Sequence, residues 1–145
     1  MILREATRPD LPVVLALLDD DHAERAEVTE AHKRAFAAIG ADPRNEMLVL
    51  ADGDEVVGCL QLTYIPGLGQ GGRERALVEA VRIRADRRGG GLGAELMRLA
   101  VERARGRGCG MVQLTSNKRR GAAHRFYERL GFARSHEGFK LHLEP

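Results

Sequence analysis

The chain has few of the residues that build disulfide scaffolds, metal centres or membrane spans. Its 145 residues include two cysteines, Cys59 and Cys109, no tryptophan, and only 4% aromatic residues. Two cysteines so far apart match neither a disulfide framework nor a metal-ligand pattern, so we expect buried, reduced thiols and no metal. No apolar run approaches the roughly 18 residues of a membrane helix, and the N-terminus lacks a signal-peptide pattern. We therefore expect one cytoplasmic domain over residues 1–145, with no membrane partner.

The net charge of +2 is close to balance, yet the two halves of the chain differ strongly. Residues 1–72 contain 6 Lys or Arg and 13 Asp or Glu, whereas residues 73–145 contain 17 and 8. A basic half suits a polyanionic ligand, and an acidic half with the run Asp19, Asp20 and Asp21 suits a cationic amine. The alternative is that both halves present solvated faces without a partner.

The most informative segment runs from an apolar strand through a glycine-rich turn into a helix. Residues 88–93 read Arg-Gly-Gly-Gly-Leu-Gly, and apolar residues at helical spacing follow them. Glycines at a helix start let a ligand approach the backbone, where unpaired N–H groups and the helix dipole favour an anion. The Lys-Ser or Lys-Thr pair of a P-loop is absent, and residues 111–115 lack the carboxylate of a dinucleotide site. The sequence therefore predicts a phosphate-bearing ligand of another kind.

Two motifs together resemble the GNAT superfamily of acetyl-CoA-dependent N-acetyltransferases. Residues 88–93 match its pyrophosphate loop, Arg/Gln-x-x-Gly-x-Gly/Ala, and residues 123–132 match its Ala-x-x-Phe-Tyr-x-x-x-Gly-Phe segment. The resemblance is specific over about residues 76–143. It implies an α/β fold, with a central mixed sheet of the α+β kind flanked by helices. In that fold two parallel strands splay apart to admit the pantetheine arm and the acceptor amine.

The hydrophobic patterns and turn signals predict six strands and four helices in an order that suits this fold. Asp10 and Thr29 are the expected N-caps of the first two helices, and Gly40 is the expected end of the second. Residues 66–72 are glycine-rich and are expected to form a mobile loop. The predicted strands are 2–6, 47–51, 56–62, 76–84, 110–115 and 138–143, and the predicted helices are 11–19, 30–39, 92–105 and 121–130.

The resemblance also implies which residues hold the co-substrate, acetyl-CoA. Main-chain groups at the end of the strand before the glycines pair with the pantetheine amides, and the loop N–H groups hold the pyrophosphate. Arg120 stands where many family members have asparagine, so a phosphate contact is expected there instead. The implied contacts are Val81, Arg82, Ile83, Arg88, Gly89, Gly90, Gly91, Leu92, Gly93, Ala94 and Arg120.

Tyr127 and Glu79 are the candidates for proton transfer. By the resemblance, Tyr127 donates a proton to the leaving coenzyme A sulfur, and tyrosine is a recognised general acid. Glu79 lies among apolar residues of the predicted strand 76–84, where enclosure would raise the pKa of its carboxyl and suit it to act as a base. The alternatives are a packed tyrosine ring and a salt-bridged glutamate. His22 and His124 are further titratable candidates, although a lone histidine is more often structural.

The resemblance implies an enzyme of the EC 2.3.1 type that transfers acetyl from acetyl-CoA to a primary amine by direct attack in a ternary complex. Cys59 and Cys109 lack the histidine pairing of a nucleophile, so no covalent enzyme intermediate is expected. The acceptor is an unidentified small-molecule or peptide amine, and a homodimer is compatible with the sequence. The alternative is a non-catalytic module that binds coenzyme A, or nucleic acid through its basic residues near Arg120. Scarce aromatic residues and nearly balanced charge argue against a nucleic-acid partner.

Overall fold

The computed structural model describes residues 1–19 and 24–143. They form two compact units, Met1–Leu114 and Thr115–Pro145, and the described part of the second ends at residue 143. The elements in chain order are β1 (Ile2–Glu5), α1 (Leu11–Asp19), α2 (Glu30–Ala41), β2 (Asn45–Asp52), β3 (Glu55–Ile65), β4 (Arg75–Ile83), α3 (Leu92–Arg107), β5 (Met111–Leu114) and α4 (Gly121–Arg129), with 3₁₀ turns at Arg8–Asp10, Gln70–Gly72 and Ala85–Arg87.

A five-stranded mixed sheet organises the first unit. Its strand order is β1-β2-β3-β4-β5, with antiparallel neighbours throughout except for the parallel pair β4 and β5, which α3 connects. The central strands β2 and β3 are almost continuously apolar and buried, as expected for strands covered on both faces. The predicted mixed α/β fold is therefore confirmed.

Helices α1 and α2 cover one part of this sheet. Val14 of α1 and the partly buried Phe36 and Ile39 of α2 pack against Met47 and Val49 of β2. Helix α3 contributes its own buried stripe at the spacing of one helical face, which the sequence pattern predicted. The fully buried residues of α3 are Leu96, Met97, Ala100 and Ala104.

The parallel strands β4 and β5 are paired over only part of their length. Their register begins at Arg75 opposite Met111 and ends at Val78 opposite Leu114. Strand β4 continues to Ile83 and stays paired with β3 on its other side. Residues 79–83 therefore have one edge that β5 does not cover, which is the splay that the family resemblance implies.

A backbone irregularity marks the point where the strands separate. Ala80 has a φ of 57°, in the left-handed region that non-glycine residues rarely adopt. The β3–β4 register shifts between Cys59 and Gln61, directly opposite this residue. A bulge of this kind bends a strand and increases its local twist, so β4 changes direction directly after its last pair with β5.

The helix starts differ in detail from the predictions. The carboxylate of Asp10 accepts hydrogen bonds from the N–H and Oγ1 of Thr7, at 2.7 and 3.0 Å. Asp10 thus belongs to a 3₁₀ turn that begins after Thr7, so its prediction as the N-cap of α1 was wrong. Thr29 is confirmed as the cap of α2, since its Oγ1 accepts from the His32 N–H at 3.2 Å.

The predicted end of α2, with residue 39 as its last residue and Gly40 as its terminator, was wrong by two residues. Gly40 does not adopt the left-handed conformation with which a glycine terminates a helix, and α2 continues to Ala41. The helix ends at Asp42, whose extended backbone (φ −106°, ψ 115°) is what the following proline imposes.

The predicted final strand, 138–143, was also wrong. These residues adopt no regular structure, and Phe139, Leu141 and Leu143 are 93, 86 and 87% exposed. Alternation of apolar and polar residues identifies the faces of a strand, but a strand forms only where a neighbour pairs with its backbone.

No helix of the described residues is long and apolar enough to cross a membrane.

Candidate active site

The glycine-rich turn exposes backbone donors at the start of α3. Gly89 and Gly91 have φ values of 86° and 80°, and a Cβ at either position would meet no atom within 4 Å. The N–H of Glu95 makes a helical hydrogen bond to the Gly91 carbonyl at 3.1 Å. The N–H groups that precede Glu95 in the first turn therefore lack acceptors within the helix, as at any helix start. Since anions favour such a position, the turn fits a pyrophosphate.

Arginine side chains fix the turn that leads into these glycines. Arg84 pairs with Asp86 at 2.6 Å, and Arg87 pairs with Asp52 at the end of β2 at 2.9 Å. The hydrogen bond from Arg84 holds the pKa of the Asp86 carboxyl below its usual value. Arg88 donates from Nε to the Ile83 carbonyl at 3.1 Å. These contacts connect the start of the loop to the sheet and orient the loop backbone.

The part of β4 that β5 does not cover contains the residues that the resemblance assigns to the pantetheine arm. Val81, Arg82 and Ile83 are half-buried and lie beyond the last pair between β4 and β5. Arg82 donates from its guanidinium to the Val81 carbonyl at 2.9 Å, while its Nε is buried and has no hydrogen-bond partner among the described residues. Among the described residues, this Nε is therefore a buried polar atom that a bound molecule could satisfy.

Cys59 lies behind the bulge and contributes to its geometry. Its thiol is fully buried and donates to the Ala80 carbonyl at 3.6 Å. Burial raises the pKa of Cys59 to about 12, so it is not a thiolate near neutral pH. Burial, followed by the nearby Glu74, also raises the pKa of Cys109. Neither environment suits a cysteine nucleophile, because thiolate formation is disfavoured at both.

Glu79 is placed beside the bulge but is not enclosed. It lies opposite Gln61 in the β3–β4 register, and its residue is exposed. The expectation of an enclosed carboxylate was therefore wrong. Successive side chains of a strand point to opposite faces, and the adjacent Val78 takes the buried position.

The second unit contains the tyrosine motif. Tyr127 is half-buried in α4, with edge-to-face ring contacts to Phe126 and Phe132 at centroid distances of 5.1 and 5.9 Å. Its carbonyl accepts from the Phe132 N–H at 3.0 Å, and Gly131 makes the required turn with a φ of 98°. The motif Phe-Tyr-x-x-x-Gly-Phe thus forms one local aromatic cluster, which fixes the orientation of the Tyr127 ring.

The remaining candidates have local roles or lie outside the described residues. His124 Nε2 is 2.9 Å from the Asn117 carbonyl, so it stabilises the turn before α4. Arg120 is exposed and precedes the first residue of that helix. Asp19 is the last residue of α1, whereas Asp20, Asp21 and His22 lie outside the described residues. Across residues 1–19 and 24–143, no group of three or more His, Cys, Asp or Glu side chains could hold a metal ion.

The residues that build the bulge were not found from the sequence. The sequence around Ala80 does not indicate a bulge, since alanine occurs in ordinary strands and is not typical of a left-handed φ. Cys59 was expected only as a buried thiol, because its contact with Ala80 depends on pairing between two strands. A helix start whose first N–H groups lack acceptors within the helix, next to a strand that extends past its parallel neighbour, is the arrangement that the resemblance implies for an acyl-CoA-dependent N-acyltransferase.

Comparisons with known proteins identify the family. The Acetyltransferase (GNAT) family model matches residues 11–132, and the chain belongs to that family. GNAT enzymes use acetyl-CoA as co-substrate, and this protein is an acyl-CoA-dependent N-acetyltransferase.

Two relatives agree with this assignment, and a solved structure shares the fold. The chain is 32% identical over 137 residues to the aminoalkylphosphonate N-acetyltransferase of Salmonella typhimurium, covering 94% of this chain and 88% of the relative. It is 32% identical over 127 residues to the streptothricin acetyltransferase of Streptomyces lavendulae, covering 86% of this chain and 59% of that enzyme. A transcriptional regulator from Bacillus halodurans C-125 superposes with a TM-score of 0.91 at 44% identity, covering 98% of this chain and 99% of the other.

Proposed function

We propose that this N-acetyltransferase moves the acetyl group of acetyl-CoA directly to a primary amine of a small molecule or peptide. The acceptor and the co-substrate would be bound together in a ternary complex, within one domain formed by residues 1–145. One observation carries the proposal. The same strand, β4, leaves its own edge uncovered after Val78 and then leads into the glycine turn at the start of α3.

The proposed co-substrate contacts follow from which backbone groups remain available. The N–H groups of residues 89–94 would hold the pyrophosphate, since glycines leave them accessible and the helix dipole favours negative charge. Main-chain groups of Val81, Arg82 and Ile83 would pair with the pantetheine amides, as a further strand would. Arg88 and Arg120 would add positive charge for the phosphates. Bound acetyl-CoA supplies the thioester whose acetyl group is transferred.

The proposed proton transfers use Tyr127 and Glu79. Tyr127 would donate the proton that the departing thiolate requires, because a phenol is a suitable acid toward a sulfur leaving group. Glu79 would accept the proton of the attacking amine. Its exposure favours transfer through a water molecule or directly from an amine that arrives from solvent. The high pKa of the Cys59 thiol supports direct transfer over an acetyl-cysteine intermediate.

The names of the relatives suggest which acceptor amines to test. An aminoalkylphosphonate carries an amine and an anionic group, whereas the acidic first half of this chain favours a cationic amine. A panel should therefore include aminoalkylphosphonates, streptothricin, polyamines, aminoglycosides, amino acids and peptide N-termini. We further propose that the protein acts in the cytoplasm and as a homodimer.

The experiment is a thiol-release assay with acetyl-CoA and this panel, followed by mass spectrometry of the products. We expect an acetylated amine to form with at least one acceptor class. We also expect no acetylated protein after incubation with acetyl-CoA alone. Accumulation of an acetyl-enzyme would contradict direct transfer, and failure of every amine in the presence of bound acetyl-CoA would contradict the proposed acceptor chemistry.

A second candidate function is nucleic-acid binding, favoured by one structural feature and one relative. Lys118, Arg119 and Arg120 form an exposed basic run, and the Bacillus halodurans relative is a transcriptional regulator. Binding of this kind weakens steeply as salt increases. Fluorescence anisotropy with duplex DNA at about 0.05 and 0.2 M salt tests it. Salt-dependent binding that the triple alanine variant of this run abolishes would favour this second function.

A further inference from the structure

Two oppositely charged residues of β4 lie on the same face of the sheet. Glu79 is opposite Gln61 of β3, and Gln61 is opposite Met47 of β2. Arg82 is opposite Cys59 of β3. Met47 and Cys59 belong to one buried cluster that packs against α1 and α2. Because directly opposite residues of antiparallel strands share a face, Glu79 and Arg82 both lie on the side of the sheet that these two helices cover.

The bulge at Ala80 brings the two charges to this common face. In a regular strand, side chains alternate between faces, so residues three positions apart point to opposite sides. Between the pairs that Cys59 and Gln61 make with β4, however, β4 contains one more residue than β3. The extra residue restores Arg82 to the face of Glu79. Their backbones are at most about 10 Å apart along the strand, so one small molecule can contact both side chains.

The guanidinium of Arg82 is only partly satisfied. It donates from Nη1 to the Val81 carbonyl at 2.9 Å, whereas its Nε is buried and has no hydrogen-bond partner among the described residues. No carboxylate of residues 1–19 and 24–143 forms an ion pair with it. Burial raises the pKa of the Cys59 thiol and the charge of Arg82 lowers it, so the guanidinium lies near that thiol. A buried donor without an acceptor costs free energy, and a cationic one favours an anionic ligand.

We propose that the acceptor amine also carries an anionic group, which the guanidinium of Arg82 binds while the ammonium group of the acceptor lies beside Glu79. The planar donors of arginine match the oxygens of a carboxylate or of a phosphonate or phosphate group. A molecule with both charges is attracted in one orientation only, since the reversed orientation places like charges together. The inference rests on the proposed acetyl transfer and adds the chemical class of its acceptor.

Paired acceptors test this inference by kinetics. β-Alanine and 2-aminoethylphosphonate carry an anion, whereas propylamine is an amine of similar length without one. We expect kcat/KM of the wild type to be about 10–100-fold higher for at least one anionic acceptor than for propylamine, as a hydrogen bond to a charged group would give. The carboxylate and phosphonate arms distinguish the two kinds of anion.

Arg82→Met keeps the main chain and removes the charge, so it should abolish the preference for the anionic acceptor. The matched control is Arg75→Met, which removes a positive charge at the start of the same strand and should retain the preference. A preference that persists in Arg82→Met would overturn the assignment of this residue. Equal use of propylamine by the wild type would overturn the acceptor class and leave acetyl transfer intact.

Binding of anions that cannot be acetylated provides a test without turnover. Propionate and ethylphosphonate are added in the presence of coenzyme A, and the arginine Nε–H signals are followed by nitrogen-15 NMR, with Arg82 assigned from an Arg82→Lys variant. We expect a saturable shift of the Arg82 signal with at least one anion and none for Arg75. No saturable shift with either anion would overturn the inference. A shift in a protein that acetylates no amine would support the anion site and overturn the proposed transfer alone.

Discussion

The two ends of the segment formed by β4, α3 and β5 differ in which atoms hold the backbone in place. At the end where β4 begins, side chains from several elements form ion pairs and hydrogen bonds with residues of α3. At the end where β4 leads into α3, backbone predominates, and glycines keep it accessible. We refer to these as the closed end and the open end.

At the closed end, two arginines of α3 bind the sheet through side chains. Arg103 makes a hydrogen-bonded ion pair with Glu46 at 2.6 Å, and Tyr64 donates to the same carboxylate at 2.5 Å. Arg107 pairs with Glu74 at 3.0 Å and lies 4.0 Å from the centre of the Tyr64 ring. The guanidinium groups, the phenol and the carboxylates thus fix the C-terminal half of the helix.

This difference explains why one helix can be both rigid and available to a ligand. Side-chain contacts at the closed end fix α3 against the sheet, so its start needs few side chains of its own. Backbone N–H groups at the open end then keep a defined direction without being used in packing. Such preorganised donors bind an anion at low reorganisation cost. Variants at the two ends should therefore separate residues that hold the structure from residues that act on ligands.

The largest expected effect comes from removing the hydroxyl of Tyr127. Tyr127→Phe should lower kcat by about 10²–10⁴-fold, because the ring packing is retained while the proposed acid is lost. Tyr64→Phe is the matched control, since it removes a hydroxyl whose hydrogen bond is structural and should reduce stability while leaving kcat nearly unchanged. Burial, followed by the hydrogen bond to Glu46, raises the pKa of Tyr64 and makes it a poor acid. If the Tyr127→Phe variant had the wild-type kcat, the role of Tyr127 would be packing and not proton donation.

Breaking the closed end should lower stability rather than remove chemistry. Arg103→Met leaves the Glu46 carboxylate, with a side chain 14% exposed, without its ion-pair partner. We expect the free energy of unfolding to fall by about 1–3 kcal/mol, less than for a fully buried pair because Arg103 is partly solvated. Urea unfolding measures this change. The exposed pair of α3, Arg105 and Glu102, provides the control, and Arg105→Met should change stability by less than about 0.5 kcal/mol.

The glycines at the two ends of α3 offer the sharpest test of the open end. Gly91 and Gly108 both have left-handed φ values, 80° and 89°, and both have open space where a Cβ would lie. Valine at either position should cost about 1–3 kcal/mol of stability. Only Gly91→Val should also weaken acetyl-CoA binding, on the order of tenfold or about 1.4 kcal/mol, as measured by calorimetry. Unchanged affinity in folded Gly91→Val would remove the glycine turn from the proposed site.

Glu79→Gln distinguishes a base from a structural carboxylate. If Glu79 accepts the amine proton, the variant should lose the acidic limb of the kcat/KM profile against pH. Thermal unfolding of the variant should be close to that of the wild type, since Glu79 is exposed. A profile of unaltered shape, measured with an identified acceptor, would transfer the role of base to another group or to water.

The smallest expected effect is a pH dependence of stability at the closed end. Burial raises the pKa of Glu46, but the hydrogen bonds from Arg103 and Tyr64 outweigh it and hold the pKa below its usual value. The stabilisation is therefore present above the unfolded pKa, about 4.3, and is lost as the pH falls through the lower folded pKa. Between about pH 6 and about pH 3, wild type should lose up to about 1 kcal/mol more stability than Glu46→Gln. Parallel pH dependences would contradict the role of this pair.

The sequence by itself determined the local features of this protein. Four glycines among residues 89–93 and the apolar stripe after them predicted the turn and α3, because left-handed backbone and helical amphipathicity depend on nearby residues. The pattern around Tyr127 matched the family's tyrosine motif and lay in the helix predicted at 121–130. The family resemblance added the expectation that two parallel strands separate.

Only the tertiary structure decided features that depend on residues distant in sequence. The bulge at Ala80 arises from pairing with β3, and the ion pair between Glu46 and Arg103 joins a strand to a later helix. The segment 138–143 has the alternation of a strand but forms none, since its backbone lacks a strand partner among the described residues. A local pattern can specify the conformation that a segment prefers, whereas pairing and burial depend on which other segments lie beside it.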